Sequence, residues 1–355
     1  MIDIIRFTYF GDAANLRSAY KMPFPKISRE FAAGAALCLT ASLLACAAAA
    51  FPWNHKLQLS PLTLAIVAGM VAGNALPKRL LERLHPGLRF CQQTLLRLGI
   101  VLYGVRLTVQ DLANLGPRAM LLDLTVIGGV LLIGYWLGTR VFGLDADTAL
   151  LVSAGSGICG AAAVLATERV IDSESHKVSV AVATVVVFGT IAMFLYPAIY
   201  PLTGFTERQF GIYTGATVHE VAQALAAGRA VSQTASDTAV ITKMLRVLLL
   251  APVLVIISRL RRNGGAGVSR KIKFPWFVVW FGAVILVQSL VTLPPAARTH
   301  LIDLDTVLLA SAMFALGMAT RWQQLKQAGT RPLLLAATIF AGLVSGGWMM
   351  TRLLV

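Results

Sequence analysis

Residues 151–167 read LVSAGSGICGAAAVLAT, an apolar stretch whose middle is too rich in glycine for an ordinary membrane helix. Gly155, Gly157 and Gly160 lie within six positions of one another, with Ser156 between the first two. Glycine weakens a helix because it loses much conformational freedom on folding. Lipid cannot hydrogen-bond free backbone amides, so a broken helix at membrane depth must lie against protein or a water-filled cavity. We therefore predict a discontinuous membrane helix here.

Composition places the whole chain in a membrane. Of its 355 residues, 57% are hydrophobic and only 13% are charged, and the mean hydropathy is +0.74, which excludes a soluble globular domain. With roughly 20 residues needed for each membrane helix, the sequence predicts an all-α helical bundle of about 10–11 transmembrane helices. It includes inverted repeats and two discontinuous helices. The predicted spans are 31–51, 60–76, 90–109, 119–139, 148–166, 178–202, 209–228, 238–258, 275–293, 304–320 and 332–354.

The domain organisation predicted from these spans is simple. Residues 1–30 form a cytoplasmic N-terminal tail, and residues 31–355 form a single integral membrane domain. The first apolar run is long enough to span a bilayer and is followed by no clean cleavage context, so we expect an anchor and no cleaved signal peptide.

The net charge of +15 reports orientation. With the N-terminus in the cytoplasm, about 20 of the 31 Lys and Arg residues fall in inside segments and about 7 in outside segments. This positive-inside bias accounts for the basic character without a nucleic-acid partner, and we expect none. The odd number of spans places the C-terminus outside. We expect a multi-pass protein of the bacterial inner membrane.

An internal repeat relates two distant segments. An offset of 213 positions lays LLRLGIVLYGVRLTVQDLANLGPRAMLLDLTVIGG, from Leu95, over LLASAMFALGMATRWQQLKQAGTRPLLLAATIFAG, from Leu308. Without a gap, this alignment pairs Gly104 with Gly317, Gly116 with Gly329 and Arg118 with Arg331. The two segments run in opposite directions in the predicted topology, as in the inverted repeats of secondary carriers.

A second self-match is weaker. An offset of 60 lays GSGICGAAAVLATER, from Gly155, over GATVHEVAQALAAGR, from Gly215. The predicted topology makes these segments parallel, which an inverted pair would not be. Either one segment is a re-entrant hairpin, which changes the span count, or the match is chance. We do not infer symmetry from it.

Four polar side chains lie inside the predicted span 209–228, within two helical turns of one another: Thr217, His219, Glu220 and Gln223. Ionisable groups inside a membrane are costly and usually face a cavity or a partner. Histidine titrates near neutrality, and burial shifts the titration of a carboxyl group towards neutral pH, so His219 and Glu220 could carry a proton. The alternative is a polar cluster that only links helices.

The next predicted span supplies positive charge. Lys243 and Arg246 are three positions apart and share a helix face inside an apolar run. They predict a negative partner, which is either Glu220, in a structural ion pair, or an anionic solute. Arg97 and Arg106 lie nearer the ends of their predicted span, and we interpret Asp123, the other mid-span acid, as a partner for one of these two arginines.

Five runs carry a resemblance to a known family. They are LLRLGIVLYGVRLT, GSGICGAAAVLATE, KVSVAVATVVVFGTIAMFLYPAIYP, TVHEVAQALAAG and ITKMLRVLLLAP. Together they resemble the YeiH family of bacterial inner-membrane proteins, also described as a sulfate exporter family, from about Phe31 to the C-terminus. The resemblance implies a polytopic membrane protein distantly similar to the cation/proton antiporter and anion transporter superfamily, in which two broken helices cross near the membrane centre.

Residues and resemblance together predict a secondary-active carrier. We expect export of a small anion, such as sulfate or a related sulfur oxyanion, coupled to protons or sodium. Backbone amides of residues 156–160 would bind the anion because N–H groups at helix N-termini suit oxyanions. The predicted substrate-binding residues are Ser153, Gly155, Ser156, Gly157, Cys159, Gly160, Lys243 and Arg246. The predicted ion-coupling residues are Thr217, His219, Glu220 and Gln223.

A non-transport function, as an intramembrane enzyme or a regulatory or structural protein, is the alternative. An enzyme is disfavoured because the sequence has no HExxH zinc motif and GSGICG is not the GxSxG pattern of a nucleophile elbow. It has no P-loop for ATP-driven transport either. We expect no metal and no cofactor, with the solute, the coupling ion and the lipid bilayer as partners. The sequence leaves open whether the protein forms a homodimer.

Overall fold

The computed structural model describes residues 28–51, 60–262, 276–291, 293–320 and 329–355, so almost all of the predicted tail 1–30 lies outside the described residues. All regular secondary structure in the described ranges is helical. The α-helices in chain order are α1 (Arg29–Ala50), α2 (Pro61–Ala75), α3 (Lys78–Phe90), α4 (Leu96–Tyr103), α5 (Val109–Trp136), α6 (Ala146–Ala154), α7 (Ala161–Ile171), α8 (Ser175–Thr203), α9 (Glu207–Thr217), α10 (Val221–Arg229), α11 (Gln233–Leu248), α12 (Leu250–Arg262), α13 (Trp276–Leu290), α14 (Pro295–Ala319) and α15 (Thr330–Leu354). Short π-helical turns follow α3, α5 and α6.

Helix length and composition confirm an all-α polytopic membrane bundle. Among the described residues, six helical segments are long and apolar enough to cross a bilayer. Each corresponds to a predicted span. They are Arg29–Ala50, Leu115–Val141, His176–Thr203, Gln233–Leu260, Pro295–Ala319 and Thr330–Leu354.

The chain divides into two compact units. The first contains the described residues between 28 and 108 and between 276 and 319. Its helices α2 and α14 approach closely, since a Cβ at Gly73 would lie 2.7 Å from the Cα of Met318. Helices α4 and α14 run antiparallel, because Gly99 lies against Leu309 whereas Arg106, in the short turn that follows α4, donates to Asp305 Oδ2 at 2.9 Å. Of the two arginines considered as partners of Asp123, Arg106 is thus paired with Asp305 instead.

The second unit contains the described residues between 109 and 262 and between 320 and 355. Its helices α5 and α15 also run antiparallel, because Gly134 packs on Ile339 and the later Gly138 packs on the earlier Leu335. The 213-residue repeat therefore pairs antiparallel helices in each unit: α4 with α14, and α5 with α15. Its paired glycines match in backbone conformation as well. Gly116 has φ 73° and ψ 170°, and Gly329 has φ 81° and ψ 158°.

The segment predicted as span 148–166 is interrupted, but it turns back on itself and does not cross the membrane. Lys177, at the start of α8, forms an ion pair with Asp145, at the start of α6, with Nζ and Oδ1 3.1 Å apart. Beyond the turn, Val164 lies against Gly155. A continuous helix, which rises about 1.5 Å per residue, would hold each of these pairs far apart. Helices α6 and α7 therefore form a hairpin, which we call hairpin 1 (residues 146–171).

The segment predicted as span 209–228 folds in the same way. A Cβ at Gly211, near the start of α9, would lie 2.6 Å from the carbonyl oxygen of Ala235, and one at Gly228, at the end of α10, would lie 2.9 Å from the same atom. Ser236 also donates to the carbonyl oxygen of Leu225 at 3.3 Å. Helices α9 and α10 thus form hairpin 2 (residues 207–229). The physical reason is length, because α9 has 11 residues and α10 has 9, well short of the roughly 20 needed to cross.

The two hairpins enter their unit from opposite ends. Helix α8 runs parallel to α6, since Val185 lies against Gly155 as Lys177 does against Asp145. Helices α8 and α9 run antiparallel: Tyr196 stacks on Tyr213 at 4.7 Å between ring centroids, and Tyr200 packs on Phe210 at 4.8 Å. The 60-residue match therefore relates two inverted hairpins, each followed by a long helix. The predicted parallel orientation was wrong because both segments were counted as crossings.

Candidate functional site

The tips of the two hairpins meet. Helix α7 begins at Ala161, and its backbone N–H donates to Glu220 Oε1 at 3.3 Å. Glu220 lies directly before α10, at the turn of hairpin 2. The carboxylate of one hairpin therefore contacts the helix N-terminus of the other, where free N–H groups and the helix dipole favour negative charge.

Both the backbone conformation at position 160 and a close contact with Glu220 require glycine there. Gly160 has φ 73° and ψ −140° at the turn of hairpin 1, a region that is nearly closed to other residues. A Cβ there would also overlap the Cγ of Glu220. The turn thus brings the backbone of hairpin 1 directly against this side chain.

Two cationic side chains of α11 donate hydrogen bonds to carbonyl oxygens at the C-terminal ends of helices. Lys243 donates to the carbonyl oxygen of Val218, at the end of α9. Arg246 donates to the carbonyl oxygen of Gly157, with Nε 2.8 Å away, and also to that of Ala216. Carbonyl oxygens at helix C-termini attract cations. Arg246 therefore joins hairpin 1 to hairpin 2 through backbone atoms, and the hydrogen bonds of both cations go to carbonyls and not to Glu220.

Two basic and two acidic side chains lie at the tips. Lys243, Arg246 and Asp123 are fully buried. Asp123, on α5, interacts electrostatically with both cations, and its two carboxylate oxygens have no hydrogen-bond partner among the described residues. Glu220 is only partly buried, and Ala162 beside it is exposed. The cluster thus holds two positive and two negative side chains, and its accessible member is Glu220.

Several buried polar atoms near the tips have no hydrogen-bond partner within the described ranges. They include both ring nitrogens of His219, Nε2 of Gln223, Oγ of Ser156 and Oγ1 of Thr214. Folded proteins leave few such atoms without a partner. A polar solute or ordered water at the tips would satisfy them, which makes this region the candidate solute site.

The predicted substrate residues of hairpin 1 take different positions. Ser156 is buried with an unpaired hydroxyl, the carbonyl of Gly157 is bound by Arg246, and Gly160 forms the turn. Gly155 and Cys159 belong to the π-helical turn before it, and Cys159 is buried. Ser153 lies further away and donates to the carbonyl oxygen of Ala149 at 2.7 Å.

One of the amides expected to bind an anion already has a partner inside the protein. Within residues 156–160, the N–H of Gly160 donates to the carbonyl oxygen of Gly155 at 3.0 Å and is therefore used inside the π-helical turn. The helix N-terminus created by the break begins one residue later, at Ala161. A sequence pattern cannot show which side of a break carries the free donors, because that depends on the turn.

The predicted ion-coupling residues all belong to hairpin 2 and lie at or near its turn. The hydroxyl of Thr217 donates to the carbonyl oxygen of Tyr213 at 2.5 Å. The ring of His219 lies 6.2 Å from that of Phe340. Gln223 Oε1 accepts the N–H of Glu220 at 3.2 Å. Their coupling role stays a prediction.

Sequence reasoning missed Ala161 and Gly189. Gly189, on α8, has no side chain where the amide of Gln223 lies, and a Cβ there would overlap that amide. The glycine in the valine-rich segment VVVFGT (residues 185–190) was a signal for a close helix contact.

Comparison with known proteins places this architecture in a family. The family described as conserved hypothetical protein 698 matches residues 33–336. The chain is 50% identical over 293 residues to the UPF0324 inner membrane protein YeiH of Escherichia coli, covering 81% of this chain and 84% of that protein. It is 50% identical over 313 residues to the UPF0324 membrane protein PA5383 of Pseudomonas aeruginosa, covering 85% and 88%. Identity to the UPF0324 inner membrane protein YeiH of Salmonella typhimurium is 48% over 324 residues, covering 90% and 93%.

No solved structure matches the chain. The relatives named inner membrane proteins, together with the six apolar spans, identify a multi-pass inner-membrane protein. The chain belongs to the YeiH (UPF0324) family of bacterial inner-membrane proteins.

Proposed function

We propose that this protein is a secondary-active transporter for a small anion, such as sulfate or a related sulfur oxyanion, coupled to protons or sodium. One observation carries the proposal: two inverted re-entrant hairpins meet tip to tip at buried ionisable residues. Irregular backbone of this kind at membrane depth lines a cavity or a solute site. A site held between inverted repeats can be exposed to each side in turn.

An anion is favoured by what the tips offer. Lys243 and Arg246 provide two positive charges, and the N-terminus of α7 provides N–H donors. Glu220 and Asp123 balance those charges when they are ionised. When these acids take up protons, the cluster gains net positive charge, which an anion can neutralise. Proton coupling therefore follows from the same four residues.

The orientation of the second unit is part of the proposal. With a cytoplasmic N-terminus, four crossings precede Gly143, so the open end of hairpin 1 faces the cytoplasm and that of hairpin 2 faces the periplasm. With the hairpins corrected, Arg169 and Lys177 lie at the same end as Arg140, and the basic run 259–262 follows α12 to that end too, whereas Arg208 lies at the opposite end. The bias agrees with the positive-inside rule.

Flux measurement tests the proposal. Proteoliposomes that contain the purified protein are assayed in turn with radiolabelled sulfate, thiosulfate and sulfite, and uptake and efflux are followed under imposed pH and sodium gradients. We expect gradient-dependent flux above that of empty liposomes, lost in Arg246→Met and kept in Arg259→Met, a variant at an exposed arginine on α12. No flux of any of these anions under either gradient would overturn the proposal and favour a non-transport function. The two flux directions also test the export implied by the family resemblance.

A further inference from the structure

The N-terminus of α7 already holds an anion, which is the carboxylate of Glu220. Helix N-termini leave several N–H groups without partners inside the helix. In α7 the N–H groups of Ala163 and Val164 donate to the carbonyl oxygen of Gly160, at 3.1 and 3.2 Å. The N–H of Ala161 has no such acceptor within its own helix and donates to Glu220 instead. A carboxylate from the other hairpin thus lies where a bound oxyanion would be stabilised.

An unpaired buried donor marks the same place. Gln223 is fully buried, and its Oε1 accepts the N–H of Glu220 at 3.2 Å. Its Nε2, the other end of the same amide group, has no partner among the described residues. The amide lies against the backbone of Gly189, where a Cβ would overlap it. A donor held beside Glu220 without an acceptor points to a ligand that brings one.

The surroundings of Glu220 set how its charge acts. Lys243 on α11 and Cys159 of hairpin 1 interact electrostatically with it, and His219 precedes it in the turn. Helix α8 contributes Gly189, which lies against the side-chain amide of the nearby Gln223.

We propose that Glu220 is a tethered competitor for the transported anion, and that protonation of its carboxylate vacates the N-terminus of α7 for the solute. One proton binds to a carboxylate oxygen of Glu220, which loses its negative charge and its strength as an acceptor. The N–H of Ala161 and Nε2 of Gln223 then donate to oxygens of the solute. The proton and the anion are bound together, and release of the proton restores the contact between Glu220 and Ala161.

This inference rests on the proposed function and refines its coupling. Binding linked to one proton strengthens by at most about tenfold for each unit that the pH falls. Co-binding makes the carrier a symporter, so an inward proton gradient drives uptake. Net export then requires an outward anion gradient that exceeds the proton gradient.

Equilibrium binding of radiolabelled sulfate to the full-length detergent-purified protein, at pH 5.5 and 7.5, tests the inference. In the wild type we expect the affinity to rise at the lower pH. Glu220→Gln, which mimics the protonated side chain, and Glu220→Ala, which removes it, should bind with little pH dependence and at least as tightly as the wild type at pH 5.5. Glu174→Gln, at an exposed carboxylate outside the tips, should keep the pH dependence of the wild type.

Two results would overturn the inference alone: a pH dependence in Glu220→Gln equal to that of the wild type, or weaker binding at both pH values in either Glu220 variant that still elutes as a monodisperse peak. Sulfate flux would stand in both cases. If neither wild type nor variants bind or transport sulfate at either pH, the inference and the sulfate proposal fall together.

Discussion

Lys177 and Asp145 form an ion pair with Nζ 3.1 Å from Oδ1, although a complete helical hairpin separates them along the chain. The pair fixes the start of α6 beside the start of α8. It follows that α7 returns to the end from which α6 departed. The same relationship, made by Gly211 and Gly228 against Ala235, defines hairpin 2. These contacts decide the topology of the unit that holds the candidate site.

Cysteine labelling in intact cells tests that topology. In a background without native cysteines, Leu144→Cys and Glu174→Cys should react with impermeant maleimide from one side of the membrane, and Glu207→Cys and Ala230→Cys from the other. The reason is that each pair lies at the open end of one hairpin. If Leu144→Cys and Glu174→Cys label from opposite sides, hairpin 1 is a membrane crossing and our description of it is wrong.

Alanine substitutions at two glycines distinguish the cost of backbone strain from the cost of disturbing the contact with Glu220. Gly160 and Gly116 both have φ 73°, but a Cβ at Gly116 would meet nothing within 4 Å. We expect Gly116→Ala to lower the free energy of unfolding by about 1–3 kcal/mol, the usual cost of such a conformation. Gly160→Ala should cost more and should also weaken transport, because its methyl group displaces Glu220. Unfolding by SDS, followed by tryptophan fluorescence, measures the stability of both variants. Equal losses of stability in the two would show that the contact of Gly160 with Glu220 contributes nothing beyond backbone strain.

Arg246 is expected to hold the two hairpins together. Its removal in Arg246→Met leaves the carbonyls of Gly157 and Ala216 without their buried donors, at about 1–3 kcal/mol for each. Arg246→Lys should recover part of the loss, since an ammonium group cannot reproduce the planar fork of a guanidinium. Thermal unfolding in detergent gives the comparison, with Arg259→Met as control. A stability of Arg246→Met equal to that of the control would contradict the hydrogen bonds described here.

Acid should weaken the Asp145 contact at the open end of hairpin 1. Burial raises the pKa of Asp145, but hydrogen bonds from Thr148 and the ion pair with Lys177 outweigh it and hold the pKa below its usual value of 3.8. A lowered pKa in the folded state stabilises the protein above the unfolded-state pKa, and this stability is lost as the pH falls through the folded-state pKa.

Asp145→Asn removes the charge and keeps an oxygen that can cap α6. Because the carboxylate is half exposed, the loss at pH 7 should be at most about 1 kcal/mol. The stability difference between wild type and variant, measured by thermal unfolding from pH 7 downwards, should shrink to zero as the pH falls through the folded-state pKa of Asp145. A difference that grows towards acid pH would show the opposite sign of linkage.

Local sequence features determined much of this protein. Apolar length predicted the membrane class and the six long helices, because about 20 apolar residues are needed to cross a bilayer wherever they occur. The glycines around Gly160 predicted an interrupted helix, and Gly116 with Gly329 predicted a repeat, because a positive φ requires glycine at those positions. The candidate site residues Glu220, Lys243 and Arg246 were found as ionisable groups in apolar surroundings.

Only the tertiary structure decided how these parts are joined. Hydropathy depends on the composition of a window and is the same whether a broken segment crosses the bilayer or turns back. The reversal at Gly160 and the second one before Glu220 therefore appear only in contacts such as Lys177 with Asp145. Partners that are distant in sequence, including Ala161 with Glu220, Arg246 with two carbonyl groups and Arg106 with Asp305, are fixed by packing. Sequence thus determined which groups had to be satisfied inside the membrane, and the fold determined which groups satisfy them.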